Sequence, residues 1–259
     1  MTFVTFGPPP AMPLTLATTT PREPEIFASL QGEGPSAGKP VAFIRLSRCN
    51  LACRWCDTAY TWHFTGDNRP HRSGLVYDRA SNQVTLTEED AARRIAALGK
   101  PRLVITGGEP LLQGAALARM LGALTQLAPG MTVEVETNGT VAPHPALDPL
   151  IAQFTVSPKL AHSGNPADLA LLPERLAHWA TEPRAVFKFV IAEPADVEEV
   201  LALALRHAIP PARIWLMAEG TDPATLRSRE GWLAETCLQH NLTLSKRLHI
   251  ELYGDTRGT

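Results

Sequence analysis

The chain has 259 residues, 44% of them hydrophobic, enough for one sizeable core in a single α/β barrel-like domain. A formal net charge of -2 and the lack of any dense lysine–arginine tract give no footprint for nucleic acid. No apolar run approaches the roughly 20 residues that cross a bilayer, so no membrane partner is expected. Three of the four cysteines fall together rather than spreading as a disulfide framework, and a reducing cytoplasm is the expected compartment.

Residues 1–20 carry no charged side chain and include Gly7-Pro8-Pro9-Pro10 and Thr18-Thr19-Thr20. A secretory signal needs a basic start and an unbroken apolar segment, and neither is present. Residues 1–22 read as a flexible lead-in, placed if anywhere against a partner subunit, and 23–259 as a single domain. Glu25–Leu30 alternates weakly, as a first strand or an edge segment, and runs into Gln31-Gly32-Glu33-Gly34-Pro35. By composition that segment is a surface turn. Val41–Leu46 is a short apolar strand interrupted by Arg45. A buried arginine is costly without a partner, so Arg45 is either a core salt bridge or a fork for a carboxylate.

Cys49, Cys53 and Cys56 follow in the spacing C-x3-C-x2-C. Cysteines this close cannot all point inward from one strand, so they lie on a loop that wraps something. Thiolates are soft ligands, and zinc or an iron–sulfur cluster are the usual occupants. Structural zinc takes four ligands and a cubane takes one per iron, while Cys237 is far away in sequence. A three-thiolate cubane leaves one iron open, and chemistry can happen there. A zinc loop completed by Asp57 or His63 stays open as an alternative.

Residues 64–84 are polar and without periodicity, which suggests a loop over a site. His63 and His71 near it read as solvent-facing in preference to ligands. Beyond this the chain becomes regular. Thr87-Glu88-Glu89-Asp90 caps a helix to about Leu98. Strands are predicted over 102–106, 131–136, 154–156, 185–191, 213–217 and 247–253. The intervening helices are placed at about 111–127, 146–152, 194–207 and 222–240. Alternation of this kind means βαβ units and a parallel sheet. With six or seven core strands, an open or incomplete parallel β/α barrel is expected.

Polar motifs fall just past the strand ends, which in such a barrel open onto one face. In Thr106-Gly107-Gly108-Glu109-Pro110, glycines let backbone approach a ligand and Pro110 biases Glu109 away from helix. Alone, this is a strand-to-helix turn. Thr137-Asn138-Gly139, Ser157-Pro158-Lys159 and Ala218-Glu219-Gly220 occupy equivalent places. Lys159 could equally snorkel to solvent. Lys188 and His249, both read as mid-strand, face either the interior or satisfied partners in the core.

C-x3-C-x2-C with Trp55 before its last cysteine resembles the radical S-adenosylmethionine (SAM) superfamily. Ser29-Leu30-Gln31-Gly32-Glu33-Gly34 before the cysteine strand, Cys56-Asp57-Thr58, and Gly107-Gly108-Glu109-Pro110 after it narrow the likeness. In this order, from about Glu25 to Gly254, the chain is similar to the 7-carboxy-7-deazaguanine synthase family. The resemblance implies a [4Fe-4S] cluster on Cys49, Cys53 and Cys56, with SAM chelated by the open iron. It implies SAM contacts at Trp55, Asp57, Gly107, Gly108, Glu109, Ser157-Pro158-Lys159 and Met217-Ala218-Glu219-Gly220. Glu109 belongs to the element that receives the SAM amino group. Substrate contacts are implied at Leu30-Gln31-Gly32-Glu33, at Arg45 through a pterin carboxylate, and at Thr106. Thr58 is implied as the protein ligand of a Mg2+ ion that also touches the substrate.

The implied reaction converts 6-carboxy-5,6,7,8-tetrahydropterin to 7-carboxy-7-deazaguanine with loss of ammonia, on the way to queuosine and other 7-deazapurines. A deoxyadenosyl radical takes hydrogen from C6, the ring contracts, hydrogen returns and SAM is regenerated. A flavodoxin- or ferredoxin-like electron donor and a homodimer go with this picture. One departure is Arg48 before the first cysteine, where the family often has glycine. The competing readings are a glycyl-radical activase, which shares the cysteine loop and Gly-Gly-Glu, and a non-catalytic zinc-binding module.

Overall fold

A computed structural model describes residues 13–259. The expected lead-in is corrected at its far end, because Leu14–Thr20 is strand β1 and its first five residues are buried. Leu14 and Leu16 alternate with threonines and pack in the main core, which the uncharged composition concealed. Residues 1–12 lie outside the described part. Two short strands follow, β2 (Glu23–Pro24) and β3 (Ile26–Leu30), and then β4 (Pro40–Leu46) leads to the cysteine loop.

The polar stretch after the cysteines is not wholly irregular. It ends in a single helical turn α1 (Arg79–Asn82), capped by Asp78 accepting from Ser81 N at 2.8 Å, and enters β5 (Gln83–Leu86). Helix α2 (Glu88–Ala97) starts at Thr87, whose hydroxyl accepts from Asp90 N at 3.1 Å. The repeating part runs β6 (Arg102–Gly107), α3 (Gly114–Leu127), β7 (Thr132–Thr137), β8 (Gln153–Val156), α4 (Ala167–Ala170), α5 (Pro173–Thr181), β9 (Ala185–Ile191), α6 (Pro194–His207), β10 (Ile214–Ala218), α7 (Pro223–His240), β11 (Thr243–Ser245) and α8 (Leu248–Tyr253).

Two expectations fail here. The short helix over 146–152 is a single 3-10 turn at Asp148–Leu150, while α5 arises where no element was predicted. Leu176 and Trp179, three apart, supply its buried face. The closing strand over 247–253 is instead helix α8. Leu248, Ile250 and Leu252 alternate as a strand would, yet Ile250 is buried at 2% while Leu252 is 50% exposed. The preceding β11 has already taken the edge of the sheet.

Strand order is β11-β10-β9-β8-β7-β6-β4-β1-β2, with β3 on β4 and β5 on β1. Every pairing from β4 through β6 to β11 is parallel. Strands β1 and β3 join antiparallel. The path is linear, not a ring, so the barrel is incomplete, as expected. Alternation sorts each strand's side chains. Ala42, Ile44 and Leu46 of β4 pack in the core under the helices, whereas Val41 and Phe43 join Val104 and Phe27 in a small cluster on the other face. Arg45 shares that inner face and pairs in register with Thr106. Above the small cluster the inner face turns polar, with Thr106, Glu136 and Lys188 on its wall. No helix of the described residues is long and apolar enough to cross a membrane.

Candidate active site

The cysteine loop is fastened from below by the end of β6. Gly108 N donates to Leu46 O at 3.0 Å and Glu109 N to Arg48 O at 2.9 Å. A Cβ on Gly107 or Gly108 would collide with the backbone of Leu46 or Arg48. The glycines therefore seat the loop, and both also line the cavity beside it. Arg48 takes φ 79°, the left-handed region that glycine favours and a side chain strains.

Cys49, Cys53 and Cys56 are free thiols on the wall of one cavity of about 350 Å³. Burial pushes the Cys49 thiol up to about 12 and the Cys53 thiol up to about 11. A metal cation is what makes thiolates in such a place. Each sulfur also has a nitrogen donor near it. Asn165 Nδ2 lies 3.2 Å from Cys53 Sγ, Trp62 Nε1 3.4 Å from Cys56 Sγ, and Asn138 Nδ2 3.9 Å from Cys49 Sγ. Three thiols on one wall, each met by an N–H, fit an iron–sulfur cluster. The groups that would complete a zinc site are not assembled with the thiols. Asp57 pairs with Arg247, and His63 is not gathered with the cysteines into a cluster of potential metal ligands among the described residues.

Below the loop the wall is a chain of paired charges. Arg45 donates from Nε to Glu25 at 2.7 Å, and Tyr60 donates to both oxygens of the same carboxylate. Burial opposes the Arg45 charge, but Glu25 more than compensates and raises its pKa. Thr106 Oγ1 and Gln31 Nε2 both donate to Glu136, at 2.8 and 3.1 Å. Glu33 pairs with Lys188 and, at 3.0 Å, with Arg247 Nε. Burial alone would raise Glu33, yet Lys188 and Arg247 hold its carboxyl far below the usual range. Gly32 lies against the His249 ring, so closely that a Cβ there would strike it, and burial lowers the pKa of that imidazole.

On the opposite side Trp55 stacks on His162 with ring centroids 5.3 Å apart, and Lys159 Nζ lies 5.6 Å from the same indole. Trp55 lines the cavity, and its buried Nε1 has no partner among the described residues. An orphan donor of this kind suits a polar ligand such as SAM. Lys159 donates to Ser157 Oγ at 2.8 Å. Glu219 is held by Arg72 at 2.5 Å and Arg229 at 2.7 Å.

Most of the residues singled out in the sequence lie on this one wall. Leu30, Gln31, Gly32, Glu33, Asp57, Thr58, Met217 and Glu219 line the cavity together with the cysteines. Glu109, Pro158, Ala218 and Gly220 are not on its wall. Glu109 is fully buried behind it, accepting from Asn138 N at 2.7 Å and from Leu111 N and Thr137 Oγ1 at 2.9 Å. Burial pushes its carboxyl up to about 7. Glu109 thus ties the ends of β6 and β7 together behind the cavity wall. His71 holds the covering loop down, with Nε2 2.8 Å from Cys56 O.

Sequence reasoning passed over Glu25, Tyr60, Glu136 and Arg247. Glu134 and Glu136 alternating with valines in β7 were a usable signal, because a strand covered on both faces is otherwise apolar. Arg247 gave no such sign, being read as the start of a strand.

Residues 43–153 match the radical SAM superfamily. The chain is 35% identical over 243 residues to 7-carboxy-7-deazaguanine synthase of Pyrobaculum aerophilum, covering 93% of this chain and 99% of that protein. The enzyme of the same name from Hyperthermus butylicus is 34% identical, covering 90% and 92%. Among solved structures, QueE from Escherichia coli superposes with a TM-score of 0.62 at 28% identity, over 91% of this chain and 95% of that one. SuiB of Streptococcus suis, solved bound to S-adenosylmethionine, shares the fold alone, with a TM-score of 0.52 at 16% identity over 80% of this chain and 49% of that one. Similarity this even along nearly the whole of two relatives, on a barrel that brings three thiols to one cavity, means that the chain belongs to the 7-carboxy-7-deazaguanine synthase family of radical SAM enzymes.

Proposed function

We propose that the protein converts 6-carboxy-5,6,7,8-tetrahydropterin to 7-carboxy-7-deazaguanine and ammonia, a redox-neutral rearrangement of one substrate. One observation carries this beyond the family likeness. Arg45 is tied down through Nε alone, so its terminal nitrogens have no partner among the described residues and lie on the cavity wall. Glu136 lies two strands along, past Thr106, which puts the two backbones roughly 10 Å apart. That span is comparable to a carboxylated bicyclic ring. A guanidinium fork suits the carboxylate at one end, and a carboxylate suits the two N–H donors of an aminopyrimidinone at the other.

Cys49, Cys53 and Cys56 would hold a [4Fe-4S] cluster, and with SAM it supplies, when bound, a one-electron cleavage that yields a hydrogen-abstracting radical. The rest is positioning. Trp55, Asp57, Ser157, Lys159, Met217 and Glu219 frame the space for SAM, with Pro158, Ala218 and Gly220 setting their backbone. Gly107 and Gly108 fix the loop, and Glu109 shapes that edge from behind. The Leu30–Glu33 turn and Thr106 complete the substrate pocket. Thr58 offers Mg2+ a single neutral oxygen, since the neighbouring Asp57 is bound to Arg247. Such an ion would rest on the substrate carboxylate and waters as well. The loop pinned by His71 and Arg72 keeps solvent from the cavity. A low-potential one-electron protein of the flavodoxin or ferredoxin type is the partner this chemistry needs, and the free thiols suit a reducing cytoplasm.

The test is an anaerobic assay with SAM, reductant and the carboxytetrahydropterin, followed by mass spectrometry. Deazaguanine with one ammonia per turnover supports the reading. A cluster-loaded enzyme that leaves the pterin unchanged, and instead places a radical on a protein glycine, would favour the activase.

A further inference from the structure

We infer that Asn165 and Trp62 are positioning residues that set the reduction potential of the cluster by donating N–H bonds to the sulfurs of Cys53 and Cys56. The inference rests on the reading that these thiolates hold the cluster.

The direction of each bond is fixed by chemistry. The Asn165 carboxamide has an acceptor end and a donor end. Its Oδ1 accepts from Ala52 N at 2.8 Å, and a backbone N–H can only donate. The oxygen must therefore face Ala52, which turns Nδ2 to Cys53 Sγ at 3.2 Å and to Ser163 Oγ at 3.1 Å. The turn that carries it is clamped too, since Ser163 O accepts from Arg54 N at 2.9 Å. For Trp62 there is no ambiguity, because an indole nitrogen is a donor alone. It lies 3.4 Å from Cys56 Sγ and is 4% exposed. Arg69, itself paired with Asp67, stacks over the Trp62 ring with Cζ 4.9 Å from its centroid and helps fix the indole in place.

Cys49 is served less well by side chains. Asn138 Nδ2 is 3.9 Å from its sulfur and only 3.0 Å from Asn50 Oδ1, so the donor is spent mainly elsewhere. A reduced cluster carries one more negative charge, spread partly onto its thiolates. An N–H aimed at a thiolate stabilises that state more than the oxidised one, and so raises the potential. Two of the three ligands have a close side-chain N–H donor, placed by segments 6 and 112 residues away.

The experiment uses the full chain, reconstituted anaerobically with iron and sulfide, and its Trp62→Phe and Asn165→Asp variants. Phe keeps the ring, and Asp keeps an oxygen for Ala52 while removing the donor. Iron and sulfide are counted first, and the midpoint is then read by EPR-monitored potentiometric titration without substrate. The expected result is a full cluster with a lower midpoint in each variant, about 59 mV for a tenfold loss of reduced fraction at fixed potential. The double variant should fall further than either. A fully loaded Trp62→Phe with the parent's midpoint overturns the inference, and Trp62→Phe decides alone if Asn165→Asp cannot hold iron. Failure of the parent chain to take up iron would instead sink the cluster reading beneath it.

Discussion

Arg247 donates from Nε to Glu33 at 3.0 Å, joining residues 214 apart, and the same guanidinium pairs with Asp57 beside the last cysteine. It also donates to Gly220 O at 2.5 Å. One side chain thus ties together the Leu30–Glu33 turn, the cysteine loop and the end of β10. Removing it leaves two acidic groups short of a counter-charge in a largely buried place. Arg247→Met should lower the unfolding free energy by about 3 kcal/mol, measured by denaturant titration. An unchanged midpoint would mean that the ion pairs are incidental.

Arg45 separates binding from framework. Arg45→Lys retains a cation for the buried Glu25 but loses the planar fork. It should raise KM for the pterin at least tenfold with the cluster absorbance intact. Arg45→Ala should abolish turnover. Loss of iron absorbance in the lysine variant would make Arg45 structural.

Arg48 holds a left-handed backbone and its side chain is exposed. Arg48→Gly should fold as well as the parent or better, whereas Arg48→Val should cost about 1–2 kcal/mol through its branched Cβ. Thermal melts of the two variants that superimpose would refute the strain.

Glu182 tests the sign of a pH effect far from the cavity. Its hydrogen bonds with Arg184 hold its carboxyl down to about 2, and Arg184 in turn reaches Asp148 and Ile151 O. A depressed carboxylate stabilises the fold above its unfolded pKa, and that contribution is lost as pH falls through the folded value. Glu182→Gln should therefore be less stable by about 1 kcal/mol at neutral pH, the pair lying near solvent. The gap should begin to narrow below about pH 5 and close by about pH 2. A gap that stays constant over that range would assign the loss to packing.

Thr58 bears on the metal. Its hydroxyl is 3.6 Å from Cys56 Sγ, and the adjacent Asp57 carboxylate is paired with Arg247. Calorimetry should detect Mg2+ binding when the pterin is present and none without it. Tight binding of Mg2+ to the cluster-loaded enzyme alone would place the ion elsewhere.

The sequence made the repeating half of the fold plain. β9 and α6 fall at the residues expected, because apolar strands bounded by proline and acidic caps leave few alternatives. Leu248–Tyr253 misled because its alternation was real while its burial was not, and burial is set by what already occupies the sheet edge. The cysteines were equally plain, since close thiols have few uses. Pairings such as Arg45 with Glu25, or Lys188 with Glu33, were hidden. A charge in an apolar strand announces that a partner exists, but only tertiary structure names it. Gly107-Gly108-Glu109 was legible as a motif, but only the tertiary structure shows that its glycines also seat the cysteine loop on the backbone of Leu46 and Arg48.

Strand β1 has a remote consequence. β5 leans on it at four consecutive positions, and β5 ends the segment that roofs the metal loop. The rigidity of that roof is thus inherited from residues near the start of the chain. A proteolytic nick just after Thr20 should be felt first as faster amide exchange at 64–82, with the barrel floor still protected.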